Sequence, residues 1–162
     1  MAFGKSWREK MRGILSFFSN ERPNVHEMLA ERYIEETQRA QQLNFHAERM
    51  QYPQFREKLR AIAADESEHA RWIAAKIRIL GDTPPDLPEI ALTEKNNWQY
   101  LLAELEKQRK CAAELLTQIT MLRAEFPEVA DTLQRIYDDG VRHRGEIKAM
   151  LMRSDPQAHQ TA

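Results

Sequence analysis

Glu66-Ser67-Glu68-His69 sits inside an apolar-periodic run from Pro53 to Leu80, and the reading of that run decides the fold. A Glu and a His three residues apart on a helix project from one face, a turn apart. On an outward face they are surface charge; on an inward face they form half of a carboxylate-bridged metal site between bundle helices. Phe55, Leu59, Ile62, Ile73, Ile77 and Leu80 step by three and four, and Glu66 and His69 are the central members of that same seam. Glu68 and Arg71 point away from it, as solvated charges do. A lone seam His is ordinarily a core histidine held by a hydrogen bond, so the neighbouring helices have to decide.

The preceding helix supplies a partner. Asn24 reads as an N-cap with Glu27 at the third helical position, and the helix runs to about Gln51. Its seam is Leu29, Tyr33, Glu36, Ala40, Leu43, Ala47 and Met50, apolar or aromatic except for Glu36 at its centre. A carboxylate at a core position is costly unless paired, protonated or metal-bound. Glu35, beside it, falls off the seam and reads as solvated.

Composition bounds the class. The chain has 162 residues, a formal net charge of −1, five Gly and seven Pro. That is one helical domain with no overall nucleic-acid footprint. The single cysteine, Cys111, excludes an internal disulfide framework, and no CxxC pair offers an iron–sulfur centre. No apolar run approaches the roughly 20 residues that span a bilayer, and no signal-peptide pattern is present. The expectation is a soluble, cytoplasmic, all-α protein. Residues 1–22 form an N-terminal amphipathic segment with Trp7, Met11, Ile14, Leu15 and Phe18 on one face. It suits docking on the bundle or on a second subunit, a flexible leader, or contact with a membrane surface.

Gly81 stops the second helix, and the chain through Thr93 carries three prolines that keep it extended. Thirteen residues reach roughly 43 Å, enough to return along a helix of this length. A third helix is expected from about Glu94 to Ala124 and a fourth from Pro127 to about Arg153, closing a bundle over 23–153 before a polar tail at 154–162. Aligning Pro53 with Pro127 places Asp65 on Asp139, His69 on His143, and Ile62 on Ile136. The same register places Gly140 opposite Glu66. The third helix has Gln108 where the first has Glu36, with Glu104 at the edge of its seam, about 40° away.

Two helical pairs joined by one long crossover, with a central Glu and then an ExxH, resemble the ferritin-like superfamily of four-helix bundles. Rubrerythrin and bacterioferritin are the nearest in character. The resemblance covers about residues 24–153. It implies Glu36 and His69 as terminal metal ligands and Glu66 as the bridging carboxylate, with His143 the ligand of the second motif. Gln108 and Gly140 depart from the pattern, leaving Glu104 or Asp139 as substitute ligands. Asp65 and Asp139 are alternatively hydrogen-bond partners of the opposing histidines, or simply solvated acids. Iron is the implied cofactor, with manganese or zinc also suited to carboxylate and imidazole. A two-iron site implies oxidation by dioxygen or peroxide with electrons from a redox partner. The contrasting expectation is a metal-free bundle acting in assembly. A homo-oligomer is expected in either case.

Overall fold

The computed structural model describes residues 24–90, 92 and 96–154, and these form four helices: α1 Val25–Arg49, α2 Pro53–Ile79, α3 Asn97–Leu122 and α4 Pro127–Arg153. The expected N-terminal amphipathic segment, and the tail from residue 155, lie outside the described residues. Each start has a local cause. Asn24 Oδ1 accepts from the backbone N–H of His26 and Glu27, and Asn96 Oδ1 accepts from Gln99. Pro53 and Pro127 open α2 and α4, where a missing N–H costs nothing. The third helix begins at Asn97 rather than near Glu94, because the Asn96 cap sets its first turn.

Gly81 adopts φ +91° at the end of α2. Its N–H reaches Arg78 O, and that of Asp82 reaches Ile77 O, the paired bonds of a Schellman stop. A Cβ here would meet no neighbouring atom, so the backbone alone opposes substitution. Gly81→Ala is expected to cost about 1–2 kcal/mol, read as a lower urea midpoint with unchanged slope.

α1 packs mainly on α2 and α3 mainly on α4, with α2 also against α4 and α1 touching α3 least. Two apolar clusters show the directions of the helices. One joins Val25 and Leu29 of α1 to Ile77, Leu122 and Val129; the other joins Leu43 and Met50 to Phe55, Leu101 and Met150. The start of α3 therefore lies at the end of the bundle where α2 starts, and the crossover traverses its length. Between the two clusters lies a layer of buried polar side chains: Arg32, Glu36, Glu66, His69, Glu104, Gln108 and His143. The seams break at mid-height on all four helices, so the breaks meet. No helix among the described residues is long and apolar enough to cross a membrane.

Candidate metal centre

Glu36, Glu66 and His69 are all buried, and each offers a ligand atom within 4.8 Å of the other two. Glu66 is the hub. Its Oε2 lies 3.1 Å from His69 Nδ1, while its Oε1 accepts from Gln108 Nε2 at 3.1 Å and faces His143 Nδ1 at 3.3 Å. Glu36 Oε2 is 3.9 Å from His69 Nδ1. Glu36 Oε1 is buried without a hydrogen-bond partner among the described residues.

The outer nitrogen of each histidine is held by the aspartate of the other motif. His69 Nε2 meets Asp139 Oδ2 at 3.1 Å, and His143 Nε2 meets Asp65 Oδ2 at 3.0 Å. Arg142 then bridges both aspartates, at 2.9 Å each, closing a symmetric polar lid over the α2–α4 seam. Asp139 thus stands on the far side of the His69 ring from Glu36 and Glu66. Its position is that of an orienting carboxylate, which fixes a tautomer and ring plane.

Glu104, expected at a seam edge, is fully buried beneath Gln108. One helical turn separates them, and the inward arc of α3 takes both. Gln108 Nε2 lies 3.3 Å from Glu104 Oε1, and Glu104 Oε2 is buried with no partner among the described residues. Gly140 leaves space that Gln108 and Arg144 line: a Cβ there would lie 3.8 Å from Gln108 Oε1 and 3.3 Å from Arg144 Nη1.

Two arginines of α1 complete the layer, and neither was expected there. Arg39 Nη1 donates to Glu36 Oε2 at 2.9 Å and lies 3.6 Å from Glu66 Oε2, while its Nε is 3.8 Å from Glu104 Oε1. Arg32 donates to Glu35 Oε2, Cys111 Sγ and Gln118 Oε1, which binds α1 to α3 below the site. Glu35 is therefore the half-exposed partner of a buried arginine rather than a free surface charge. Both arginines stand one turn from Glu36, four residues before it and three after it, a spacing that allows the contact without showing that the side chains turn inward.

A family model for the ferritin-like domain matches residues 38–154. The chain belongs to the ferritin-like family. Comparisons with curated proteins and with solved structures gave no match. The matched span holds Glu66, His69, Glu104 and His143, and it begins two residues after Glu36. The ferritin-like bundle here has a Glu/Glu/His set on α1 and α2, with Gln108 of α3 beside Glu66 and Gly140 of α4 beside Gln108.

Charge in the layer is redistributed by proximity. Burial would lower the His69 pKa, but hydrogen bonds to Glu36 and Glu66 push it up to about 10. Burial would raise Glu66, yet His143 and His69 hold it well below the ordinary carboxylate value. Burial raises Glu36 against the pull of Arg39, and raises Glu104 likewise. A pKa raised on folding stabilises the native state while the group is protonated. The His69 contribution is therefore complete below its unfolded value of 6.5 and lost as pH rises toward 10. The Glu66 contribution has the opposite sign, present above 4.5 and lost as pH falls toward its depressed native value. Taken together, the His69 and Glu66 contributions are both complete at about pH 4.5–6.5. Melting temperatures in chelator should fall from pH 6.5 to 10, and His69→Gln should flatten that fall relative to wild type.

Proposed function

We propose that this ferritin-like chain binds a divalent metal ion through Glu36, Glu66 and His69, with iron the first choice and manganese or zinc compatible with the same donors. The carrying observation is the convergence of two buried carboxylates and an imidazole within 4.8 Å, with Glu36 Oε1 left without a hydrogen-bond partner among the described residues. His69 Nδ1 is the donor toward the ion, because Asp139 occupies Nε2. Asp139 and Asp65, tied together by Arg142, set the ring orientations from outside. The apolar clusters above and below exclude water and hold the two carboxylates at fixed height.

Bound iron supplies electron exchange with an oxidant such as dioxygen or peroxide. A redox partner and a homo-oligomeric assembly belong to the same proposal. So does a contribution from His143 and Glu104, which lie on the α3–α4 side of Glu66. A second reading, a metal-free bundle serving in assembly, is favoured by Gln108, whose amide already satisfies one Glu66 oxygen. Metal analysis of protein produced with iron supplied separates the two. The expected result is stoichiometric metal in the wild type and its loss in Glu36→Gln, which keeps the side-chain shape and removes the charge. Metal near zero in both proteins would overturn the proposal in favour of the second reading.

A further inference from the structure

We infer that the Arg39 guanidinium is a resident cation that takes the place of one of the two metal ions, so that the native site accepts a single divalent ion. The inference rests on the metal-binding reading above and goes beyond it. Arg39 is anchored on α1, one turn after Glu36, and only a tenth of its side chain is exposed. Its nitrogens face three buried carboxylates from three helices: Glu36 at 2.9 Å, Glu66 at 3.6 Å and Glu104 at 3.8 Å. A planar guanidinium is suited to this, since its forked donors address several oxygens while it stays protonated. The carboxylates reinforce that charge against the effect of burial.

Charge decides the stoichiometry. Three buried carboxylates are neutralised by one guanidinium and one divalent ion. A second divalent ion beside Arg39 would leave two uncompensated positive charges in a water-poor interior. Arg32, the other buried arginine, lies 4.0 Å from Glu36 Oε1, and its charge is met by the nearer Glu35 at 2.8 Å and by Glu114 at 3.6 Å. Gln108 works with Arg39. Its amide nitrogen lies between Glu66 Oε1 and Glu104 Oε1, donating where a second ion would have to bridge. The donors for a second ion are nonetheless still present: Glu104 with its unpartnered Oε2, Glu66 Oε1, and His143 Nδ1. An amide turned about its last torsion adds the Gln108 carbonyl oxygen to the set. Arg39 reaches this second set only through Glu104 Oε1, its nearer contacts being Glu36 Oε2 and Glu66 Oε2, so it is the charge of Arg39 that makes the second position unavailable although the ligands persist.

The test is an anaerobic Mn(II) titration of the full chain, with metal counted per chain and the bound ion followed by electron paramagnetic resonance. Arg39→Met keeps the length and loses the charge; Arg39→Lys keeps the charge. Removing the charge is expected to add one ion per chain, taking the count from one to two, while Arg39→Lys stays at one. Equal counts in wild type and Arg39→Met would overturn the inference and leave the metal reading standing. Two ions in the wild type would overturn it as well. A wild type without metal would overturn the proposed function and this inference together, whereas one ion in both proteins would overturn this inference alone. Should Arg39→Met fail to fold, the wild-type spectrum decides. After free Mn(II) is removed by gel filtration, a six-line signal of isolated bound ions supports a single site, and the multiline signal of an exchange-coupled pair rules it out.

Discussion

Glu66→Ala is expected to destabilise the metal-free protein by about 3–5 kcal/mol, the range for removing one member of a buried charged network. Few surface carboxylates would cost a quarter of that. Glu66 accepts from Gln108 and faces both histidines and Arg39, so its loss removes the group that two helical pairs share. His69 and His143 would keep only their aspartates on the outer side, and Gln108 only the weaker contact to Glu104. Glu68, two residues on, makes the control. It accepts from Trp72 Nε1 at 2.9 Å and pairs with Arg71 on an exposed face, and Glu68→Ala should cost no more than about 1 kcal/mol. Urea unfolding of the two variants in chelator measures the difference. A Glu66→Ala midpoint equal to that of Glu68→Ala would mean that the polar layer contributes nothing to holding the bundle together.

The halves of this layer differed in how plainly the sequence displayed them. Glu36, Glu66 and His69 were legible because each interrupts an apolar seam, and short side chains on a helix stay on the face their spacing assigns. The pairing of Asp65 with His143 and of Asp139 with His69 was one of two readings the sequence left open, the other being solvated acids, and the structure brings each aspartate to the opposing ring. Arg32 and Arg39 were not legible. Their Cα positions flank the seam, and only the reach of a long side chain brings the guanidinium inside. Whether such an arginine folds inward or outward depends on the space between α1 and α3, where contact is least, and helical periodicity carries no information about that gap. A cavity of about 180 Å³ opens there, lined by Arg39, Gln42, Lys107 and Cys111 among others. Glu104 illustrates the same limit from the other side: a 40° offset from Gln108 separates core from edge in a two-helix contact, but not in a four-helix interior. The matched family span covers α2 to α4 and the later part of α1, Arg39 included, while Arg32 and Glu36 precede it.

Saturation with metal is expected to raise the melting temperature by roughly 8–16 °C. A ligand at a thousand times its Kd stabilises the native state by about 4 kcal/mol, and a domain of this size shifts by about 2–4 °C per kcal/mol. The effect should be specific to the centre for a physical reason. In the metal-free state Glu36 Oε1 is buried with no hydrogen-bond partner among the described residues and only Arg32 Nη1 at 4.0 Å for a recorded ion pair, so a cation entering there removes an existing penalty as well as adding its own bonds. Glu36→Gln should lose nearly the whole shift, because it exchanges that charge for a neutral amide at constant volume. Asp139→Asn should lose only part of it, because the outer nitrogen of His69 keeps a hydrogen-bond partner while the ring is less basic toward the ion. Chelator should reverse the shift in the wild type and leave Glu36→Gln unmoved. Equal shifts in wild type and Glu36→Gln would place the binding on surface carboxylates instead, which lack the buried donor set that makes Glu36 responsive.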